Sequence, residues 1–389
     1  MATGRGYAST CLGIVQSSYR TPIEITDGLE DSNLITFEDE GITQQFIDLV
    51  SEWRDGSPAR KGSRQGPKSV SGPIRCKMTY DEEEGTNQGI GVGLLLALAT
   101  QCGVTSSTHG DDTYAATGYN RYTPANDPAR FITLAFDHSV SKITAVGCKI
   151  PSWRIIGNQA GDVVAEFDVR CYDLQAYTGW TGGTEGKDHA FAALRADMTT
   201  DPTMMAWQDL TAQIADRSNV INDGSDKQGI GSFTFAVDNG LSDDEYSTDE
   251  NSGHTDATKP LEHEGGGNRS VTLDITVPRY SADTYASWHS NHTALQAEFE
   301  FYYSATRSFW IRIPKMVIPT FTANVTGPGM MAQSVSFVCE RPNASDTMHL
   351  RTHKFEDGSA ELKDENSQYV EYGIETLDDR RNDPFSLTS

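Results

Sequence analysis

Residues 163–171 read Val-Val-Ala-Glu-Phe-Asp-Val-Arg-Cys. Val163, Ala165, Phe167, Val169 and Cys171 fall on one side of an extended chain, and Glu166, Asp168 and Arg170 on the other. Successive side chains of a strand point to opposite faces, so a repeat of two marks a strand with one face in a core and one in water. The pattern spreads in both directions from this stretch. Val70, Ile74, Cys76, Met78 and Tyr80 oppose Ser71, Arg75, Lys77 and Thr79, while Val271, Leu273, Ile275 and Val277 oppose Thr272, Asp274 and Thr276. Similar alternation at Leu295–Tyr303, Phe309–Ile313 and Val335–Cys339, with runs at Phe131–Phe136, Ile143–Ile150 and Gly231–Val237, gives about nine or ten strands. A mainly β fold follows, an antiparallel β-sandwich or barrel with one wet face per sheet.

Helices are few. Gly91–Gln101, centred on Leu94, Leu95, Leu96 and Leu98, is apolar nearly all round and is expected to lie buried on the strands at Val70–Tyr80 and Phe299–Tyr303. Ala282–His292 is expected as a helix behind a Ser281 cap, with Tyr285 and Trp288 sharing a face; Met204–Asp216 is a weaker amphipathic candidate. Thr21–Trp53 carries nine acidic residues and no basic one, whereas Arg54–Lys68 carries five basic residues and one acid, Asp55. Residues 21–68 therefore read as a long, oppositely charged two-part loop, broken at most by a short helix at Ile42–Trp53. Residues 173–228 look inserted between strands, Asp243–Glu264 reads as a solvated acidic loop, and 341–389 as a C-terminal arm.

Composition narrows the function. The 389 residues are 37% hydrophobic and include 35 glycines, enough for a large core, and no apolar run approaches the roughly 20 residues of a membrane span. Met1–Arg20 has no continuous apolar segment, so no secretory signal is expected. The net charge of −24 disfavours a surface that grips phosphates, and the Asp-rich, Lys-poor balance suits a saline environment. Cysteines at 11, 76, 102, 148, 171 and 339 form no C-x-x-C and are expected to be reduced structural thiols. G-x-S-x-G, H-E-x-x-H and EF-hand patterns are absent; Gly186-Lys187 has Thr181 where a phosphate loop needs glycine and Asp188 where it needs Ser or Thr. Glu262-His263-Glu264, the pair His289 and His292, Asp111-Asp112 and Asp243-Asp244-Glu245 are simplest as solvated loops or a helix surface. Neither catalysis nor a cofactor or metal is expected, which leaves binding or assembly.

Glu40-Gly41-Ile42, Gly56-Ser57-Pro58-Ala59-Arg60, a strand entry from Gly66 to Gly72, and Leu94-Leu95-Leu96-Ala97-Leu98 follow one another, and then come Gly147-Cys148-Lys149 to Asp168, Phe233–Asn239, and Ile313-Pro314-Lys315 to Phe337. Over roughly residues 10–340 this order resembles the siphophage-type tail tube proteins, the major tail proteins of long non-contractile viral tails. The resemblance implies a tail tube β domain over 1–340, flanked by one buried helix. It also implies a virion protein, assembled in the host cytoplasm, whose hexameric rings stack into a negatively charged conduit. Double-stranded DNA would pass without specific binding, tape measure, tail terminator and distal tail proteins would be partners, and no membrane would be involved. Within 21–68, Glu38, Asp39, Glu40, Arg54, Arg60, Lys61 and Arg64 are the expected contacts with a neighbouring subunit. Glu166, Asp168, Glu298 and Glu300 are the candidates for the bore, unless they face outer solvent or pair with Arg170 and Arg312. The alternative is a β-sandwich adhesin or carbohydrate-binding module that stacks exposed Trp and Tyr on sugars.

Overall fold

Alternation becomes sheet over most of the described residues. The computed structural model describes residues 10–16, 19–20, 33–50, 63–80, 82–84, 88–100, 119–124, 130–138, 142–176, 203–221, 226–246, 259–262, 267–278, 284–304, 307–321, 333–343 and 369–377. Strands β1 (Thr10–Gln16), β2 (Asn33–Ile35), β3 (Asp39–Glu40), β4 (Thr43–Val50), β5 (Ser63–Lys77), β6 (Thr79–Tyr80), β7 (Glu82–Glu84) and β8 (Gln88–Ile90) lead to helix α1 (Gly93–Ala99). β9 (Tyr119–Tyr122), β10 (Phe131–Asp137), β11 (Lys142–Asn158), β12 (Val164–Cys171) and β13 (Asp173–Ala176) follow. β14 (Thr203–Met204), β15 (Leu210–Asp216), β16 (Ser232–Asp238) and β17 (Ser270–Val277) precede helix α2 (Thr284–Ser290). β18 (Leu295–Ser304), β19 (Arg307–Val317), β20 (Gln333–Cys339) and β21 (Gly373–Leu377) come last.

Nineteen of these strands form one hydrogen-bonded network that folds into a front, a side and a back sheet. The front sheet runs β4–β5–β12–β11–β16–β17–β20, with β3 also on β5. The back sheet runs β15–β18–β19–β21–β9 and joins the front where Met316 and Val317 pair with Cys339 and Val338. The side sheet runs β13–β11–β10–β1–β2–β8–β7, and its β2–β8 contact is the one parallel pairing among the described residues. Inner aromatics of front and back interlock: Phe233 lies 5.3 Å from Phe299 and 5.9 Å from Phe301, and Tyr372 lies 5.3 Å from Phe235 and 5.9 Å from Trp153. The antiparallel β-sandwich expected from alternation is the fold.

One strand, β11, serves two sheets. Residues 142–148 pair with β10 and β13, and residues 149–158 pair with β12 and β16. The change of sheet needs a backbone twist that Gly147 provides at φ +63°; a Cβ there would stand 2.3 Å from the Tyr19 carbonyl oxygen. Beside it, β12 ends at Cys171 and, past Tyr172, the chain enters the side sheet as β13. Tyr19, Phe131, Val146 and Tyr172 fill this corner.

Helix α1 is buried along its whole length, as its apolar circumference requires, with β11 and β2 as its nearest strands, and it shares one core cluster with Ile74 and Cys76 of β5 and Phe299 of β18. Seven residues without a side-chain N-cap make a weak helix alone, so burial holds it. Its exit is tied down by Asn239, whose amide donates to the Ala99 carbonyl at 2.7 Å and the Ile150 carbonyl at 2.9 Å. The second expected helix is α2, with Tyr285 and Trp288 edge to face at 5.4 Å.

Several expectations are corrected. Met204–Asp216 is no amphipathic α-helix: after a 3₁₀ turn at Trp207–Asp209, Leu210–Asp216 is a strand that pairs with β18 from Leu210↔Phe301 to Asp216↔Leu295, because Leu210, Ala212 and Ile214 repeat every second residue. Ile42–Trp53 holds β4 and no helix among its described residues. Residues 173–228 hold β13, β14 and β15. The C-terminal stretch is no free arm over 369–377, because Tyr372 and Ile374 are fully buried in the main core. Nor are the ends of the acidic loop simply solvated: Lys149 binds Glu262 at 2.7 Å, Arg170 binds Asp243 at 3.1 Å, and Tyr246 donates to the Lys68 carbonyl at 2.9 Å. Burial raises the pKa of the Asp173 carboxyl, but hydrogen bonds from Lys68 and Lys259 outweigh it and hold the group below its ordinary value.

Leu96, 1% exposed, has no room to relax its neighbours around a void. Leu96→Ala should therefore lower unfolding free energy by about 2–5 kcal/mol, read from denaturant midpoints, without changing the secondary structure.

Candidate assembly surfaces

The three sheets differ in what they show to water. Burial alternates residue by residue along β12, β16, β17 and β20 of the front sheet, so that sheet keeps an open outer face. In the side sheet β10 is buried at every position. Both faces of the back sheet are covered over Leu295–Phe299 and Ser308–Pro314. Its outer face lies beneath residues that include Arg217, which donates to the Pro314 carbonyl at 3.1 Å, and Asn219, whose carbonyl accepts from Gln296 at 2.5 Å.

This difference separates the four acids expected at a bore. Glu166 and Asp168 stand on the open front face. Glu298 is 4% exposed and pairs with Arg312 at 2.6 Å, so it cannot line a channel; spacing of two shared a face correctly, but that face is roofed. Glu300, half-buried, lies on the same covered sheet. Arg312 also donates to Glu375 of β21 at 2.7 Å and sits 5.7 Å from the Trp310 ring centre. Two carboxylates thus share one guanidinium, with none of the three side chains more than 5% exposed.

Among the residues whose side chains are described, the outward positions of the front strands carry four cations, and each meets a carboxylate. Arg154 and Arg75 both bind Glu166, the first through Nε at 2.6 Å and the second at 3.2 Å. Arg75 also binds Glu38 at 3.2 Å, Lys77 binds Asp162 at 2.7 Å, and Arg170 binds Asp243 at 3.1 Å. The Asp162 hydrogen bond and charge raise the pKa of Lys77, keeping it a cation. Such exposed pairs contribute little stability, about 0–1 kcal/mol each, but they occupy the groups that would otherwise seek phosphate. Asp168 accepts from Ser152 at 2.6 Å, and Asp238, across Ser152 on the next strand, accepts from the Gly240 amide at 2.9 Å.

The acids expected at a subunit contact are partly engaged within the chain. Glu38 holds Arg75, Glu40 accepts from the Ile42 amide at 3.1 Å and faces His138 at 2.9 Å, and Asp39 pairs with Arg75 across β3–β5. Arg64 lies on β5 opposite Leu49, while Arg54, Arg60 and Lys61 fall outside the described residues. Sequence reasoning missed β4 itself. It is an eight-residue strand whose pairing among the described residues is with β5 alone, and it carries Phe46 at 41% and Ile47 at 51% exposure. The chain bends from β3 into β4 where Gly41 crosses Gly72, at which a Cβ would sit 2.1 Å from the Gly41 carbonyl oxygen. Gln44 and Gln45, polar neighbours of Phe46, hid the strand. No helix among the described residues is long and apolar enough to cross a membrane, and none of their acidic, His or Cys groups is arranged to hold a metal.

Removing Glu375 strands a buried guanidinium, whereas replacing all three charges removes the desolvation cost with the attraction. Glu375→Ala should lower unfolding free energy by about 3–5 kcal/mol, and the triple variant Glu298→Leu, Arg312→Met, Glu375→Leu by much less, as denaturant melts will show.

No curated protein matches the chain. A family model for phage tail tube proteins matches residues 8–339, from just before β1 to the end of β20, and leaves β21 outside. A sandwich of antiparallel sheets with an open, internally neutralised face and an exposed edge strand suits a protein that closes against copies of itself, and with that match the chain belongs to the phage tail tube protein family.

Proposed function

We propose that the chain polymerises as stacked hexameric rings into the tube of a long non-contractile viral tail, with the front-sheet face turned to the bore that conducts double-stranded DNA. The observation that carries this orientation is that, among the described residues, the front sheet keeps a continuous wet face, while β10 of the side sheet and Leu295–Phe299 and Ser308–Pro314 of the back sheet are covered. A bore wall must be hydrated and must not bind its cargo. Ser152, Thr234, Thr272, Thr276, Ser334 and Ser336 hydrate that face, and its four cations already hold carboxylates. Glu166 and Asp168 stay in the proposed wall, joined by Asp238 and Asp274. Tube ends need closing proteins, so a tail terminator and a distal tail protein are the expected partners, with a tape measure inside during assembly. The sugar-binding alternative needs exposed rings: Trp153 and Trp310 are at most 3% exposed, while Tyr302 and Tyr303 at the end of β18 are 53% and 55% exposed.

Subunits meet, in this proposal, along β4 and the segment beyond it. An edge strand exposes unpaired N–H and C=O groups, which a neighbour can satisfy, and Phe46 and Ile47 add apolar area. A Phe46→Ser, Ile47→Ser variant should fold with stability changed by roughly 0.5 kcal/mol per site, since both side chains are exposed, yet form no tubes by negative-stain microscopy. Tubes of normal length would refute the contact.

The bore assignment is tested separately. Particles carrying Asp168→Lys and Asp238→Lys should form normal tails but eject DNA slowly, with the rate recovering as salt rises, because phosphate contacts made by new cations weaken with salt. Unchanged ejection from intact tails would place this face elsewhere.

A further inference from the structure

We propose that Cys148 and Cys171 are a modification site: a cross-strand disulfide that closes by oxidation and locks the corner where β11 and β12 leave the front sheet. Their sulfur atoms stand 3.0 Å apart, closer than unbonded sulfurs usually rest and about 1 Å from the length of a disulfide. The strands bring them together by register. Lys149 pairs with Arg170, which sets Cys148 opposite Cys171, and directly opposed antiparallel residues have Cα atoms roughly 4.5–5.5 Å apart, inside the span a disulfide bridges. In the thiol state Cys148 donates to the Ala145 carbonyl at 3.4 Å, leaving Cys171 to donate to the Cys148 sulfur.

Closure is an exchange with a low-molecular-weight disulfide. One thiolate attacks a sulfur of that reagent to give a mixed disulfide and releases one small thiol. The second protein thiolate then attacks the mixed disulfide, forms the Cys148–Cys171 bond and releases the other small thiol. The two protein sulfurs are oxidised, the reagent disulfide is reduced, and the two protons end on the released thiols. Both side chains are fully buried, and burial followed by the Cys148 hydrogen bond raises the Cys171 pKa well above the ordinary range, so the folded pair reacts slowly. Reduced in a cytosol, the pair would close only after prolonged contact with an oxidising medium. That timing rests on the virion reading, whereas the closure itself does not.

The test uses the purified full chain. It is incubated under native conditions with excess oxidised glutathione, denatured in N-ethylmaleimide, and mapped by non-reducing peptide mass spectrometry. A linked peptide pair containing Cys148 and Cys171, loss of two of the six alkylation sites, and a higher melting temperature than the reduced protein are expected. Cys171→Ala should leave the other five cysteines alkylated after the same treatment; should that variant fail to fold, the wild-type map decides alone. Six alkylated cysteines after exhaustive oxidation, or bonds scattered among other pairs, would overturn the proposal.

Discussion

Two neighbouring strands leave the front sheet for the side sheet at one place, and the rest of the structure depends on that corner. β11 makes the change through Gly147, and the chain from β12 to β13 makes it through Tyr172, with the Cys148 and Cys171 sulfurs in contact between them. Because both turn together, the side sheet folds away as a unit and creates a pocket between itself and the sandwich. Helix α1 occupies that pocket, and Asn239, at the end of β16, hydrogen-bonds both the helix exit and the Ile150 carbonyl of the turning strand. A buried apolar helix and a polar side chain that satisfies its last carbonyl therefore solve one geometric problem, the filling of a corner that flat sheets leave empty.

The corner also decides which faces stay wet. With the side sheet and helix on one flank, and much of the back sheet roofed by segments such as 217–221 and 369–370, the front sheet remains open. Roofing the back sheet puts Arg312, Glu298 and Glu375 into a low-dielectric layer, where each charge depends on the others. Glu375 lies on β21, outside the span of the family match. β21 pairs along β19 and brings Glu375 to an arginine that lies within the matched span.

Periodicity made the strands legible and left their partners hidden. Val164–Cys171, Ser270–Val277 and Gln333–Cys339 alternate in burial as their sequences alternate in polarity, because one side of the front sheet is water. Leu295–Ser304 shows an equally clean sequence pattern, yet Gln296 and Glu298 are buried, since the covering residues come from remote positions that no local pattern encodes. The strand at Leu210–Asp216 was obscured by an apolar set that fits a short helix as well as a strand. At β4, glutamines on both faces erased the alternation, and the charge runs around it drew attention to a loop. Charge named no partners at the site: a run of acids predicts a solvated or intermolecular role, and Glu38 and Glu40 also have partners in their own chain that the pattern did not reveal.

Net charge alone does not explain how the proposed bore wall would let DNA slide. A value of −24 per chain repels a polyanion at long range, but salt screens that field beyond roughly 8–10 Å, and a duplex in a narrow tube lies closer than that to its wall. At contact distance the decisive quantity is whether an arginine or lysine is available to displace counterions from a phosphate. On the front face Arg75 and Arg154 grip Glu166 from both sides, Lys77 holds Asp162, and Arg170 holds Asp243. A passing phosphate would have to compete with a carboxylate already in place. The pairs contribute little to stability; in the proposed wall their value lies in engaging the four described front-face cations with carboxylates of the same chain.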